Sequence, residues 1–464
     1  MCSINIAINS DKSTVDKMHF TTKHRGVSES FMFLSLSHGN SAWVCYNHLP
    51  TTDKSISGCG FETEKSITFL NGYISNYLEL KEKYNLKTNT NRDTEVLALC
   101  LDLEVNPMEF NGFFAIVRYD KVEKTFEAFT DRYGIKQLYT YSNENGQTFV
   151  SSEVKGILAV CPEIELDEDA VELWHYSLGV LNIDTIYKGI KRVLSLPMPE
   201  IEQSKDISEV AYFNAKLRLE YLWNKSIDRN RFENGPIGVF VSGGIDSGLI
   251  AKSLKPNYSF SVDYSDPEFS EIQNIKKNSF GENHFSVIVN DHNYKEYALK
   301  AATVLDDPKA GSCYTNYMVS ELASNFCTVI YSGAGGDEFF GGYPHRLNKP
   351  ISEVIRRNDK MNLQEYEMTH FDYDMLFLRS VLVVEDRMSS NFTMETRYPF
   401  LDNDLVNFAL SLPKEFLKDK RILKDISGLH EDVISGRKRG FSNPYFTNQE
   451  WTEFVIEQKN TTYE

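Results

Sequence analysis

The stretch Gly238–Ala251 reads GVFVSGGIDSGLIA, and its interpretation decides the fold. The run PIGVFV before the bend is short, β-branched and aromatic, which predicts a buried strand. The residues SGLIAKSL after it have helical spacing. Strand, glycine turn and helix is a geometry that holds phosphate, because open backbone N–H groups at a helix start point at the anion. A tight turn that binds nothing would read the same way, so the rest of the chain must decide.

The bend SGGIDS lacks the GK[ST] ending of a Walker A loop, so no lysine is placed to reach the β- and γ-phosphates. An Asp inside the loop suits a metal-bridged polyphosphate instead. Glycine amides and serine hydroxyls would hold oxygens, and Asp246 would ligate Mg2+. A second acidic bend, YSGAGGDEFFGGY at Tyr331–Tyr343, closes a later apolar run. Gly333, Gly335 and Gly336 permit close backbone approach there, and Asp337 and Glu338 follow. The plain alternative for these two acids is a charge pair at a helix start. In an open parallel sheet, however, ligands bind beyond the carboxyl ends of strands. Two glycine–acid bends at two such ends are more specific than either alone.

The chain around these bends has 464 residues, enough for two or three domains. Lys and Arg number 49 and Asp and Glu 66, a net charge of −17, which weighs against general nucleic-acid binding. Seven cysteines are scattered at 2, 45, 59, 100, 161, 313 and 327 with no CxxC pair, the pattern of reduced thiols in a cytoplasmic protein. The opening MCSINIAINSDKS does not resemble a signal peptide, and no run approaches ~18 apolar residues. The first 150 residues are strand-rich, with helices expected at Leu78–Tyr84 and Thr94–Leu103. The stretch SLPMPEIEQSKDIS (195–208) is the expected boundary. Beyond it, IGVFV, YSFSV, HFSVIV and CTVIYS alternate with helical segments, which predicts βαβ units and a parallel sheet. From about 350 the reading is mostly helical.

These residues carry a family resemblance. SGGIDS is similar to the pyrophosphatase loop of the ATP pyrophosphatases, which split ATP to AMP and pyrophosphate. SGAGGDEFFGGYP, METRYPFLDNDLVNFALSLP, KDKRILKD and RKRGFSNP resemble, in order, the motifs of glutamine-dependent asparagine synthetases. MCSI, HRG, NGYISNY, RDTEV and DRYGIKQLY resemble the same family's glutaminase domain, so the likeness spans about residues 1 to 450. It implies an α+β N-terminal domain with the αββα layers of N-terminal nucleophile hydrolases, at 1–195. An α/β domain with a parallel sheet and a helical C-terminal part would follow, at 205–464. The resemblance further implies that Ser242, Gly243, Gly244, Asp246 and Ser247 grip pyrophosphate, with Asp246 and Asp337 on Mg2+. Adenine and ribose would lie along Val241, Val262, Ser332 and Gly333, and Lys420 would neutralise charge as pyrophosphate leaves. Glu395 and Arg397 would bind substrate or brace the site, a structural ion pair being the equal alternative.

On the ammonia side, removal of the initiator Met would make Cys2 N-terminal. Its own α-amino group, with an ordinary pKa near ~8, would then act as base for its thiol. Asn71 and Gly72 would form the oxyanion hole and Asp93 would hold the α-amino group of glutamine. The chain departs from the family in four places. His48 stands where an arginine clamps the glutamine α-carboxylate, which exchanges a permanent, bidentate charge for an imidazole. We expect His48 to do that work as imidazolium, with Arg25 the rival clamp. Tyr73 replaces a glutamine-contacting glutamate, and HRGVS stands for HRGPD. Ala334 replaces the glutamate of SGEG, which is tied to adenylation and amide formation.

The expected function is an ATP-dependent amide ligase. A carboxylate is adenylated, and ammonia from glutamine, channelled between domains, displaces AMP. Aspartate is the first acceptor, and another carboxylate such as a uronic acid or peptide side chain the second. A silent binding or regulatory relative is the reading from a different class. The expected partners are glutamine, ATP and the carboxylate, with no nucleic acid and no membrane, and a homodimer is left open.

Overall fold

The structure, a computed structural model, describes residues 2–51, 60–171, 185–266, 270, 275, 283–306, 313–343, 370–434, 445, 450, 451 and 453–457. The motif RKRGFSNP (437–444), Pro344, Cys59 and the segment 344–369 lie outside the described residues.

The N-terminal half contains two antiparallel sheets. The first is built from β1 (Ser3–Ile8), β2 (Ser28–Ser35), β3 (Ser41–His48), β8 (Tyr139–Ser142), β9 (Thr148–Ser151) and β10 (Lys191–Arg192), in the order β10-β8-β9-β1-β3-β2. The second is β4 (Phe61–Glu62), β5 (Ser66–Ile74), β6 (Gly112–Asp120) and β7 (Thr125–Thr130), in sequence order. The period-2 alternation of strands explains how they stack. In β1, Ile4 and Ile6 pack with Ile67, Phe69, Ala115 and Val117 of the second sheet. Ala7 turns the other way, onto Val15 and Met18 of the helix Lys12–Thr22. On the far side, Leu70 and Ile116 pack on Val96, Leu97 and Cys100 of the helix Asp93–Asp102. Helix, sheet, sheet and helix thus form four layers. Both expected helices are present, each starting one residue earlier, at Tyr77 and Asp93.

Residues 196–208 carry neither helix nor strand, and the Ser208 side chain accepts from Ala211 N to cap the helix Glu209–Asn230. The C-terminal half holds a parallel sheet of β11 (Ile237–Phe240), β12 (Tyr258–Tyr264), β13 (Asn283–Val289), β14 (Val329–Tyr331) and β15 (Glu395–Arg397). Its order is β13-β12-β11-β14-β15. The chain runs outward from β11 to β13 and then returns to the other side of β11 as β14. The switch point, where ligands bind in such sheets, therefore lies between β11 and β14. Val239, Val329 and Tyr331 pack toward the helices Glu209–Asn230 and Ile245–Leu254. Phe260 and Ile330 pack toward Val319 and Ala323 of the helix Cys313–Ser324. Sequence reading finds four of the five strands. It misses β15, whose three residues Glu-Thr-Arg are polar yet fully buried.

The halves are joined by a buried charge network. The guanidinium of Arg25 donates to Glu153 at 2.7 Å, to Asp386 Oδ2 at 2.9 Å and to Ser390 Oγ at 2.9 Å. Lys136 reaches Asp386 at 2.6 Å, and Arg387 pairs with Glu153 at 3.0 Å and Asp306 at 3.1 Å. Asp386 and Arg387 lie on the helix His370–Ser390 of the C-terminal half. Three cations around Asp386 hold its carboxyl at about 2 against the opposing effect of burial.

Candidate active site

The first bend leaves β11 after Phe240 and enters the ten-residue helix Ile245–Leu254. Gly243 takes φ +74°, a left-handed turn that a side chain would strain. Ser242 N donates to Ser247 Oγ at 3.2 Å, which folds the loop over the helix start. Gly244 is the N-cap and makes no side-chain bond to the first helical N–H groups. Val241 and Ser332 follow β11 and β14 directly, Gly333 comes next, and Val262 lies one strand over in β12. A Cβ on Gly336 would sit 2.6 Å from Asp246 Cγ, so only glycine lets the second bend close on the first.

The two bends and the Lys420 segment meet at one point. Lys420 Nζ contacts Asp246 Oδ2 and lies 2.5 Å from Asp337 Oδ1. Asp419 and Lys420 both have left-handed backbones, φ +53° and +58°, which is costly for non-glycine residues and common at functional sites. Asp246 Oδ1 is buried without a hydrogen-bond partner. An orphaned carboxylate oxygen beside a second carboxylate fits a divalent cation that takes its other ligands from phosphate. Among the described residues no cluster of three or more His, Cys, Asp or Glu could hold a metal without such help.

Beside Ala334 stands a carboxyl that sequence reading misses. Glu385, on the helix His370–Ser390, accepts from Ser332 Oγ at 3.0 Å, and the same hydroxyl oxygen accepts from Ala334 N at 3.2 Å. The Tyr398 hydroxyl is its other polar neighbour, though among the described residues its buried Oε2 makes no hydrogen bond of good geometry. Burial pushes this carboxyl up to about 7. Glu395 and Arg397 pair with each other at 2.9 Å on β15, and Arg397 also donates to Asn230 O at 3.0 Å. These contacts brace the sheet against the helix Glu209–Asn230.

In the N-terminal half, Cys2 N donates to Asn71 Oδ1 at 3.1 Å and Cys2 O accepts from Arg25 Nε at 2.9 Å. Gly72 has φ +132°, and a Cβ there would lie 1.9 Å from Phe113 O, so the position next to Asn71 must be glycine. Asp93 accepts from Ile74 N at 3.0 Å, which ties the start of its helix to the end of β5. His48 is buried, and burial followed by the charge of Arg92 lowers it to about 4. The expected imidazolium is therefore corrected to a neutral ring, which offers a carboxylate no charge near neutral pH. Arg25 is likewise no free clamp, since its guanidinium is consumed by the network between the halves. The Tyr73 hydroxyl donates to Arg229 O at 3.0 Å and its ring lies 4.2 Å under the Arg397 guanidinium. Its hydroxyl thus bonds the opposite half of the molecule.

The C-terminal half thus brings two carboxylates and a lysine to a switch point, and the N-terminal half sets a cysteine beside an Asn–Gly pair. The family model described as asparagine synthase matches residues 218–367 and 356–462, and that of the glutamine amidotransferase domain matches 1–213. The chain belongs to the glutamine-hydrolysing asparagine synthetase family. It is 31% identical to a Methanocaldococcus jannaschii protein provisionally named as such a synthetase, over 78% of this chain and 79% of the relative. It is 25% identical to asparagine synthetase 1 of Bacillus subtilis, over 96% and 87%. A solved allosteric regulatory enzyme of purine biosynthesis aligns with 61% of this chain and 80% of its own, at TM-score 0.31 and 12% identity.

Proposed function

We propose that the protein makes asparagine from aspartate, with glutamine as nitrogen source and ATP cleaved to AMP and pyrophosphate. The observation that carries this is the meeting of Asp246, Asp337 and Lys420 at the switch point. An aspartate carboxylate oxygen attacks the α-phosphorus and pyrophosphate leaves, giving an acyl-adenylate. Ammonia then adds to the acyl carbon and AMP departs. Asp246 and Asp337 would hold Mg2+, which supplies charge neutralisation for the polyphosphate. The open N–H groups after Gly244 bind phosphate oxygens, and Lys420 balances charge on the departing pyrophosphate. Cys2, once N-terminal, attacks the glutamine amide with its own amine as base and Asn71 and Gly72 as oxyanion donors. Buried cysteines without a disulfide among the described residues support a cytoplasmic setting. No helix of the described residues is long and apolar enough to cross a membrane.

Ala334 favours a second reading, in which the acceptor is another carboxylate. Glu385 weakens that case, because it brings a carboxyl from a different element to the loop that lost one. It would take the proton that ammonia sheds as the amide forms. With its pKa near 7 it is protonated below that pH and a base above it. Glutamine-driven amide formation should therefore fall as pH drops through 7. Glu385→Gln should cost about 10²–10⁴-fold in amide formed per adenylate and remove that inflection. A variant with wild-type yield at pH 8 would exclude the role.

The deciding experiment is a panel of carboxylates assayed for AMP, pyrophosphate and amide product. Aspartate should give all three in equal amounts. ADP as the nucleotide product would overturn the adenylation reading. AMP formed with a uronic acid or peptide but not with aspartate would establish the second acceptor class.

A further inference from the structure

Among the described residues, three buried side-chain nitrogens around Cys2 have no hydrogen-bond partner: Arg92 Nη2, His48 Nδ1 and Asn71 Nδ2. They come from three elements, the start of the helix Asp93–Asp102, the end of β3 and β5. Native interiors rarely leave such atoms unpaired, and a buried guanidinium with an open N–H is costly. Arg92 is 4% exposed, and its charge acts on His48, Tyr46 and Asp93. Its backbone N–H is turned inward to Thr90 Oγ1 at 3.2 Å, which fixes the chain as it enters the helix. The side chain thus presents a permanent positive charge and an unused donor where His48 has no charge to give.

An α-amino acid headgroup carries a carboxylate and an ammonium on one carbon. Arg92 and Asp93 are adjacent residues of opposite charge, and both are buried near the nucleophile. We propose that Arg92 grips the α-carboxylate of the amide donor, with His48 as a second polar contact and Asp93 on the α-ammonium. The inference rests on the glutaminase reading of Cys2. It changes which element reads the donor: the clamp moves from the end of β3 to the residue before the helix Asp93–Asp102. Arginine suits the task because its planar fork matches a carboxylate bidentately.

The test compares L-glutamine with its α-methyl ester, which keeps the side-chain amide and the ammonium but has no carboxylate charge. Ammonia release by the full chain is measured with each. Wild type should prefer glutamine over the ester by about 10- to 100-fold in kcat/KM. Arg92→Gln should close that gap, chiefly through a higher KM for glutamine, with the ester moving far less. Arg92→Lys, which keeps the charge but loses the fork, should leave an intermediate gap and decides the matter if the Gln variant does not fold. His48→Gln should retain most of the preference. Equal losses with both donors in Arg92→Gln would mean a structural role, and a gap that persists would place the clamp elsewhere. Either result overturns the proposal while the glutaminase reading stands. A wild-type protein that releases ammonia from neither donor overturns both.

Discussion

Cys2→Ala is expected to abolish asparagine formation from glutamine and to leave formation from ammonium salts running. The reason is how little the substitution removes. Arg25 holds the Cys2 carbonyl and Asn71 holds its N–H, both backbone groups that alanine keeps. Only Sγ, the nucleophile, is lost. Asp246, Asp337 and Lys420 form their own cluster on the parallel sheet, where added ammonia needs no thiol. Product should be quantified with each nitrogen source at equal aspartate and ATP. Equal loss with both would mean that the two chemistries are not separable.

Asp246→Asn is expected to show the opposite pattern, with activity down by about 10²–10³-fold whichever nitrogen source is used. The amide keeps the shape of the carboxylate, so the close fit against Gly333 and Gly336 survives. The charge is what disappears. Lys420 is left with Asp337 as its acidic partner at this junction, and the orphaned oxygen suited to a cation becomes neutral. Pyrophosphate release should fall with amide yield, because the defect lies before adenylate forms. A variant that makes adenylate at the wild-type rate and fails only at ammonia addition would refute this placement.

How much of this could be read in the chain depends on where the information sits. SGGIDS and SGAGGDE announce themselves because glycine and acid at a strand end have few other uses. The four apolar parallel strands were equally open to reading. β15 was not, since Glu-Thr-Arg offers no apolar signal and is a strand only because Tyr331 and its neighbours pair with it. His48 could be named but its charge could not, because burial and Arg92 set it from outside its own segment. Arg92 and Glu385 were passed over for the same reason. Each is an ordinary charged residue until tertiary convergence strips it of water. A cue existed for Glu385: EDR interrupts the apolar run VLVV within one helix. Charges in such a place need an explanation.

Arg25 has a consequence for how this protein can be inherited or rebuilt. One guanidinium holds the backbone of the nucleophile while its other arms hold a carboxylate and a hydroxyl across the seam. Removing either side of a buried ion pair costs about 3–5 kcal/mol, and severance here would take Arg25 and Lys136 from Asp386 and Glu153 from Arg387. An N-terminal fragment should not survive as a portable ammonia generator, nor should one half be freely exchanged with that of a distant cousin.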